Sequence, residues 1–206
     1  MTYALAELVL PRLPHGRRAL VALAGAPGSG KSTLADRLAS ALTAAGRQAQ
    51  VVPMDGFHLD NRVLDARGLR ARKGAPETFD LAGLRHLAER LIAERHVVYP
   101  LFDRARDLAV AGAGEIPQAC DTVVLEGNYL LFDQPGWRDL RPLWDVAIRL
   151  DVAEAELRRR LVQRWLDHGL PQRDAEARAD GNDMVNARLL VENALPADLN
   201  WPPQDA

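Results

Sequence analysis

The sequence predicts an α/β fold in which helices cover both faces of a mainly parallel sheet of about five strands. Two observations lead to this prediction. Short apolar runs, which are typical of strands buried on both faces, alternate along the chain with longer segments that carry leucines at helical spacing. The chain has 206 residues, which suits one domain with a substantial core. We therefore expect residues 1–206 to form a single domain.

The first predicted strand and the first predicted helix flank a glycine-rich turn. Residues 19–24 are all Ala, Leu or Val, as expected for a buried parallel strand. Leucines then recur every four residues over 31–45, which predicts a helix, and Gly46 supplies its stop signal. Residues 50–54 predict a second strand. Residues 1–18 are interpreted as an N-terminal extension.

The middle of the chain predicts a helix, a small hairpin and two insertions. Asp80 is expected to cap a helix because leucines follow it at helical spacing. Val-Val-Tyr at 97–99 predicts one arm of a small hairpin, and Glu-Ile-Pro at 115–117 lies near the other arm. The glycine- and arginine-rich residues 56–79 are too numerous for a simple connector, which indicates a loop with a function.

Two strands, two helices and a final strand are predicted in the last third of the chain. Residues 122–126 and 146–150 are short apolar runs. Residues 151–168 begin with Asp-x-x-Glu and end before a glycine, which predicts a helix. Another helical stretch is expected within 174–194, and residues 197–201 predict the last strand.

Composition excludes several functional classes. The net charge of −2 gives no positive field that would attract nucleic acid or an anionic membrane. No apolar run approaches the roughly 20 residues of a membrane span. Residues 1–7 lack a basic leader and contain a glutamate, which argues against a signal peptide. The single Cys120 excludes an internal disulfide and suits a reducing compartment. We expect a cytoplasmic protein without nucleic-acid or membrane partners.

Residues 25–33 carry the most specific motif of the sequence. They read Gly-Ala-Pro-Gly-Ser-Gly-Lys-Ser-Thr and match Gly-x-x-x-x-Gly-Lys-Ser/Thr between a predicted strand and a predicted helix. In such a loop, backbone N–H groups and the helix N-terminus bind nucleotide phosphates. Lys31 would reach the β- and γ-phosphates, and the Ser32 hydroxyl would be a Mg²⁺ ligand. The expected nucleotide contacts are Gly25, Ala26, Pro27, Gly28, Ser29, Gly30, Lys31, Ser32 and Thr33.

A carboxylate ends each of two predicted strands. Ligands bind at the carboxyl ends of the strands in open parallel sheets. Glu126 is therefore predicted to hold Mg²⁺, directly or through water. Asp55 is predicted to orient an acceptor hydroxyl and accept its proton as the hydroxyl attacks the γ-phosphate. The structural alternative for either acid is a helix cap or a loop carboxylate, and His58 is as suited to a structural role as to a substrate contact.

Several motifs together resemble one superfamily. The phosphate loop, Met-Asp-Gly-Phe-His at 54–58, Val-Leu-Glu-Gly-Asn at 124–128 and a late arginine-rich helix are similar to phosphoribulokinases, uridine kinases and bacterial pantothenate kinases. Residues 72–80 resemble a segment of pantothenate kinases, and residues 99–104 are similar to the acceptor segment of uridine kinases. The resemblance covers about residues 19–195.

The overall pattern is most similar to a bacterial branch labelled fructose transport system kinase. Asp-Gly-Phe-His, Leu-Glu-Gly-Asn-Tyr-Leu-Leu and the late Asn-Asp and Asn-Ala pairs at 182–183 and 186–187 carry this resemblance. The chain departs from uridine kinases, which usually have Ser and Tyr where Gly56 and Phe102 stand here. It also lacks much of the C-terminal region of pantothenate kinases.

The resemblance implies a P-loop NTPase fold, three-layered α/β/α, with a small hairpin and a helical lid in residues 151–170. It implies ATP and Mg²⁺ as cofactors and Lys31, Ser32, Asp55, Glu126 and a lid arginine as the catalytic set. Residues 56–79 and 99–117 would be acceptor-site insertions. The expected function is transfer of the γ-phosphate to a hydroxyl of a small metabolite, with a sugar of the fructose type as first candidate. Pantothenate and uridine are the alternative acceptors.

Arginines of the late helix are candidates for the lid contact. Four of them crowd residues 158–164, and Arg160 and Arg164 are four residues apart on a common helix face. Such guanidinium groups would stabilise the transferring phosphoryl group. Alignment with pantothenate kinases places Arg164 first and Arg160 second, and a solvated surface is the alternative for the whole group. The predicted substrate contacts are His58, Arg72, Lys73, Phe102, Asp103 and Arg104.

Two other functions use the same loop. An NTP-hydrolysing regulatory switch needs the phosphate loop but not Asp55, the acceptor-like segment or the lid arginines. A nucleoside-monophosphate kinase has a loop and a lid, but its acceptor phosphate is already ionised and does not need Asp55. The sequence leaves the preference for ATP over GTP and the oligomeric state open, with a homodimer among the alternatives.

Overall fold

The structure, a computed structural model, describes residues 2–202 and contains a five-stranded parallel sheet. Its strands are β1 (Ala19–Gly25), β2 (Ala49–Pro53), β5 (Thr122–Gly127), β6 (Val146–Leu150) and β7 (Leu199–Trp201). Their order across the sheet is β2-β5-β1-β6-β7. All residues of β1 and β5 are buried, which explains the apolar runs at 19–24 and 123–125. The predicted parallel sheet of about five strands is confirmed.

Seven helices surround this sheet in the described part of the chain. They are α1 (Thr2–Val9), α2 (Lys31–Ala44), α3 (Asn61–Ala66), α4 (Leu81–Ala93), α5 (Glu154–Asp167), α6 (Gln172–Arg178) and α7 (Met184–Glu192). Alternate residues of β1 face opposite layers. Leu20 packs in one core with α4, and Val21 packs in the other with α1 and α2. The three-layer α/β/α prediction is therefore confirmed.

A two-stranded antiparallel hairpin lies outside the main sheet. Its arms, β3 (Val97–Asp103) and β4 (Leu108–Ile116), are longer than the sequence indicated. The hairpin packs against the turn that follows β2 because Gly56 has no side chain. A Cβ atom on Gly56 would lie 2.0 Å from the carbonyl oxygen of Pro100. The glycine that distinguishes this chain from uridine kinases therefore brings the hairpin backbone onto the β2 turn.

Three segments differ from the predictions in detail. Residues 56–79 contain α3, which the Asp60 side chain caps by accepting a hydrogen bond from the Arg62 N–H at 2.9 Å. The helical stretch predicted within 174–194 is split by a π-helical turn at Ala179–Asp183, between α6 and α7. The N-terminal extension contains α1, whose Leu5, Ala6 and Val9 side chains are buried in one core with α2.

Candidate functional site

The phosphate loop joins β1 to α2. At two positions of this loop, the backbone has a conformation that only glycine adopts without strain. Gly28 has φ of +77° and Gly30 has φ of +88°. The Ser29 N–H donates to the Ala26 carbonyl oxygen at 3.1 Å, which closes the turn. Gly30 precedes the first residue of α2, and no side chain caps this helix end. The N–H groups of the first helical turn are therefore available to an anion.

Gly28→Ala is expected to weaken ATP binding by about tenfold or more, because the left-handed conformation is unfavourable for alanine. The added Cβ would also lie 3.1 Å from Cγ of Leu161 on α5. Gly46→Ala is the matched control, since Gly46 has φ of +94° but no described atom lies within 4 Å of the added Cβ. Calorimetric titration with ATP checks this. Equal ATP affinities in the two variants would contradict it.

Glu126 and Ser32 meet beside the phosphate loop. The Ser32 hydroxyl donates to Oε1 of Glu126 at 3.0 Å. Glu126 is only 5% exposed, and this burial raises the pKa of its carboxyl group above the ordinary value. The positive charge of Lys31 and the Ser32 hydrogen bond act in the opposite direction. Lys31 therefore lies close enough to Glu126 for their charges to interact.

The Ser32 and Glu126 oxygens fit a magnesium ion that is also bound by phosphate. Mg²⁺ prefers oxygen ligands and usually keeps several from water or substrate phosphate. Within residues 2–202, no group of three or more His, Cys, Asp and Glu side chains could hold a metal. Two protein oxygens completed by nucleotide phosphates and water match the usual P-loop arrangement.

Asp55 lies in a short 3-10 turn, Met54–Phe57, directly after β2. Its Oδ2 atom accepts a hydrogen bond from Nη2 of Arg104 at 2.5 Å, and its side chain is 22% exposed. Arg104 belongs to the turn between β3 and β4, which the packing of Gly56 on Pro100 brings within reach. The hairpin and the β2 turn together place a carboxylate and a guanidinium at the carboxyl edge of the sheet.

A cavity of about 570 Å³ connects the phosphate loop to Asp55. It is bounded by the loop, the β2 turn, residues 70–74, the hairpin, α5 and the α6–α7 segment. The polar and aromatic side chains that line it are Lys31, Asp55, His58, Arg70, Lys73, Phe102, Arg104, Asp107, Asn128, Arg164, Trp165, His168, Arg178, Asn182, Asp183 and Asn186. This volume is typical of a small-molecule site.

Two of the residues predicted as substrate contacts lie elsewhere. Arg72 forms an exposed ion pair with Glu77 at 2.6 Å, and Asp103 pairs with Arg106 at 2.7 Å. Neither residue lines the cavity. Each forms an ion pair with a residue only a few positions away in the sequence. The charged group of each is therefore engaged within its own segment and not at the cavity.

His58 lines the cavity as part of an aromatic wall. Its ring centroid lies 4.1 Å from that of Phe79 and 4.7 Å from that of Phe102. Its Nδ1 atom is 2.8 Å from the Asp55 carbonyl oxygen. Burial lowers the pKa of His58 below its ordinary value, so the ring is neutral at pH 7. A neutral aromatic wall can pack against the apolar face of a ligand.

Lys73 also lines the cavity, but its ammonium group is fully bonded. It donates to Oδ1 of Asn61 at 2.7 Å, to the Asp107 carbonyl oxygen at 2.9 Å and to Oδ1 of Asp107 at 2.7 Å. An ammonium group has three donors. Lys73 therefore fastens residues 61–73 to the hairpin turn. Lys31 and Lys73 are the only lysines in the sequence, and both line this cavity.

The two predicted lid arginines occupy different positions on α5. Nη1 of Arg160 donates to the Ser29 carbonyl oxygen of the phosphate loop at 3.2 Å, and its Nε donates to Glu156 at 2.6 Å. Hydrogen bonds from Arg159 and Arg160 lower the pKa of Glu156 to about 2. Arg164 lies one turn further, 5.7 Å from the Trp165 ring centroid, and lines the cavity. Arg160 thus contacts the loop, and Arg164 faces the space beside it.

One wall of the cavity consists of residues that were not predicted from the sequence as site residues. Asn128 follows Glu126 by two residues, whereas Arg178, Asn182 and Asn186 recur at intervals of four in the α6–α7 segment. Spacing by four on a helix places side chains on one face, but it cannot show what that face meets. The asparagines at 182 and 186 carried part of the family resemblance, and this was the signal in the sequence.

The structure has no helix suited to a membrane span. Within residues 2–202, every helix is too short or too polar to cross a bilayer.

Comparison with known proteins identifies the family. A family model described as an AAA domain, AAA_18, matches residues 21–179. A Schizosaccharomyces pombe protein named "Putative uridine kinase" is 37% identical over 198 residues, which cover 91% of this chain and 84% of that protein. "ATP-dependent kinase YFH7" of Lachancea thermotolerans is 30% identical over 194 residues, covering 73% of this chain and 55% of that one.

A solved structure extends the similarity over nearly the whole chain. The crystal structure of a "putative fructose transport system kinase" from Silicibacter sp. TM1040 is 60% identical in sequence. It superposes with a TM-score of 0.97 and covers 98% of this chain and 99% of that one. The chain therefore belongs to the P-loop kinases of the AAA_18 family, of the uridine kinase type, and is an ATP-dependent kinase with a small-molecule substrate.

Proposed function

We propose that this kinase transfers the γ-phosphate of ATP to a hydroxyl group of a small metabolite, with a sugar of the fructose type as first candidate. The observation that supports this proposal is that Lys31, Asp55 and Arg164 line one cavity. Phosphoryl transfer needs cations at the phosphates and a group that orients the attacking hydroxyl. Both kinds of group face the same space.

The roles in the reaction follow from these positions. The phosphate loop and Lys31 would bind the β- and γ-phosphates, and Ser32 and Glu126 would hold Mg²⁺. When bound, Mg²⁺ neutralises charge on the phosphate oxygens. Arg104 occupies Oδ2 of Asp55, which leaves Oδ1 to accept the proton of the acceptor hydroxyl. The hydroxyl oxygen then bonds to the γ-phosphorus as the bond to the β-phosphate oxygen breaks, and ADP leaves.

Arg164 and Arg160 support the transferring group in this proposal. Arg164 faces the cavity and stabilises the phosphoryl charge as it develops. Arg160 already contacts the phosphate loop through the Ser29 carbonyl oxygen, so it fixes α5 on the loop. Among the residues predicted to bind substrate, His58, Phe102 and Arg104 form one side of the acceptor space.

The acceptor is proposed from chemistry and similarity together. The solved protein from Silicibacter is described as a fructose transport system kinase, and the aromatic wall formed by His58 and Phe102 suits the apolar face of a sugar. Uridine is the alternative acceptor because of the Schizosaccharomyces relative's name, and pantothenate is the alternative from the sequence resemblance. A regulatory switch would not need a carboxylate in a cavity beside the γ-phosphate site.

A screen of acceptors with Lys31 variants tests the proposal. ADP release from Mg-ATP is measured with D-fructose, other sugars, uridine, pantothenate and ribulose 5-phosphate. One acceptor is expected to stimulate release, and Lys31→Ala is expected to reduce the stimulated rate by about 10²-fold or more. Lys31→Arg is expected to lose activity as well, because a planar guanidinium cannot replace a compact ammonium group. Stimulation by none of the acceptors would contradict the proposal and favour the switch.

A further inference from the structure

The cavity wall formed by α6 and α7 has no role in phosphate transfer. Asn182, Asp183 and Asn186 line the cavity from the π-helical turn and the first turn of α7. Short π-helical turns inside helices occur frequently at functional sites, because they turn side chains away from the regular helix face. This wall faces the same space as Asp55, so a ligand that fills the cavity contacts both.

Asp183 is held in this wall by a tryptophan and not by an ion pair. The Trp165 Nε1–H donates to Oδ2 of Asp183 at 2.7 Å. Within residues 2–202, no Lys, Arg or His nitrogen lies within 4.0 Å of an Asp183 oxygen to form a salt bridge. Burial raises the pKa of its carboxyl group, against smaller opposing effects of the Trp165 hydrogen bond and the charges of Arg164 and Arg178.

The two arginines whose charges act on Asp183 lie beside the Trp165 indole ring. The guanidinium carbon of Arg164 lies 5.7 Å from the Trp165 ring centroid, and that of Arg178 lies 5.2 Å from it. Asp183 therefore presents a partly buried carboxylate, with one oxygen bonded to the indole, on the wall of the acceptor cavity. Further hydrogen-bond donors would stabilise a partly buried carboxylate that has only one such bond.

Amide groups beside Asp183 complete a polar surface of donors and acceptors. Oδ1 of Asn128 is buried and has no hydrogen-bond partner among the described residues. Asn186 is 3% exposed, and its Nδ2 reaches Oδ1 of Asn182 only at 3.5 Å. Amide groups can donate and accept, and so can hydroxyl groups. The long contact between the Asn186 and Asn182 amides leaves hydrogen-bonding capacity for a ligand that carries several hydroxyl groups.

We propose that Asp183, with Asn128, Asn182 and Asn186, forms a subsite that binds hydroxyl groups of a polyol acceptor. Asp183 is its specificity-determining residue, because an anionic carboxylate accepts hydrogen bonds from hydroxyl groups and repels an anionic group at the same position. The part of the acceptor that touches this wall is therefore uncharged and hydroxylated. This proposal rests on the proposed function. It also names the surface of the cavity that determines acceptor specificity.

The test combines Asp183→Asn with deoxy analogues of the acceptor. Asparagine retains an oxygen for the Trp165 N–H, so the wall keeps its shape and only the charge is lost. The expected result is a rise in KM for D-fructose of about fivefold with kcat within about threefold, since a hydrogen bond to a charged group exceeds a neutral one by about 1 kcal/mol. If the acceptor screen identifies uridine instead, uridine and 2′-deoxyuridine serve as the matched pair.

The series of deoxy analogues identifies which acceptor hydroxyl group contacts Asp183. The wild-type enzyme is expected to lose about 10- to 100-fold in kcat/KM with the monodeoxyfructose that lacks the bound hydroxyl, and Asp183→Asn is expected to lose much less with that analogue. Asp180→Asn is the matched control. Asp180 lies in the same π-helical turn but pairs with Arg158 outside the cavity, so its kinetics should equal those of the wild type.

The outcomes separate this proposal from the proposed function. A fall in kcat with KM unchanged, equal for the acceptor and all its deoxy analogues, would show that Asp183 only supports Trp165 and would overturn the subsite. Unchanged kinetics in Asp183→Asn would overturn it as well. If no acceptor stimulates ADP release by the wild type, the phosphotransferase function fails, and the subsite fails with it.

Discussion

Asp55→Asn is expected to reduce kcat by about 10²- to 10⁴-fold while the dissociation constant for ATP stays within about threefold of the wild-type value. The amide has the shape of the carboxylate but cannot accept the proton of the acceptor hydroxyl. It also cannot hold Arg104 by charge, because the ion pair at 2.5 Å is lost. The contacts expected for ATP come from the phosphate loop, which does not include Asp55.

Two measurements decide between a chemical and a structural role for Asp55. Calorimetric titration gives ATP affinity, and single-turnover kinetics give the phosphoryl-transfer step. Asp133→Asn is a suitable control, because Asp133 forms a surface ion pair with Arg138 and does not line the cavity. Arg104→Gln separates the two members of the pair, and a smaller loss is expected because Asp55 is retained. Loss of ATP binding in Asp55→Asn would contradict the assigned role.

Arg18→Met is expected to lower the free energy of unfolding by about 3 to 5 kcal/mol. Arg18 is 7% exposed, and its guanidinium donates only to main-chain carbonyl oxygens. The acceptors, at 2.6 to 3.4 Å, are the carbonyl groups of Leu91, Glu94, Arg95, Pro117 and Cys120. These carbonyl groups belong to the end of α4 and to the connection between β4 and β5. One side chain therefore joins both segments to the start of β1, and methionine would remove the guanidinium donors from these carbonyl oxygens.

Thermal and urea unfolding check this expectation, and the midpoint should fall by roughly 10 °C. Arg95→Met is the matched control, because Arg95 is exposed and only its carbonyl oxygen takes part in the Arg18 network. Its effect should stay within about 0.5 kcal/mol. Arg18→Lys should also destabilise, since an ammonium group has fewer donors than the planar guanidinium. A loss below about 1 kcal/mol in Arg18→Met would contradict the assigned role.

The sheet and the phosphate loop were predictable because the sequence patterns that indicate them are local. A buried parallel strand is apolar along its whole length, and the phosphate loop has a fixed spacing between a strand and a helix. α3 was missed because its 6 residues, Asn61–Ala66, are too few to show helical periodicity. The hairpin was predicted too short. Pro100 and the register shift between Tyr99 and Leu101 interrupt its alternation.

The candidate site was predictable in part. On the acceptor side, the structure places Asp55, His58, Lys73, Phe102, Arg104 and Arg164 at the cavity, but not Arg72 or Asp103. Residues 25–33 and Glu126 follow from the motif and from the ends of the strands. The acceptor side depends on which charges are paired within their own segments, as Arg72 is with Glu77. It also depends on which helix face meets the cavity, and Asp183 shows that this requires tertiary structure. The single-domain organisation, the cytoplasmic location and a homodimer stay predictions.

The two lysines allow selective chemical modification of the cavity. Lys31 and Lys73 carry the only side-chain amines in the 206-residue sequence, and both line the acceptor and nucleotide space. An amine-selective acylating reagent can therefore modify only these two side-chain amines and the chain's terminal amine. All three donors of Lys73 are engaged, so Lys31 should acylate faster. Peptide mass spectrometry of acylated protein thus becomes a direct occupancy assay for nucleotide, one that needs no knowledge of the acceptor.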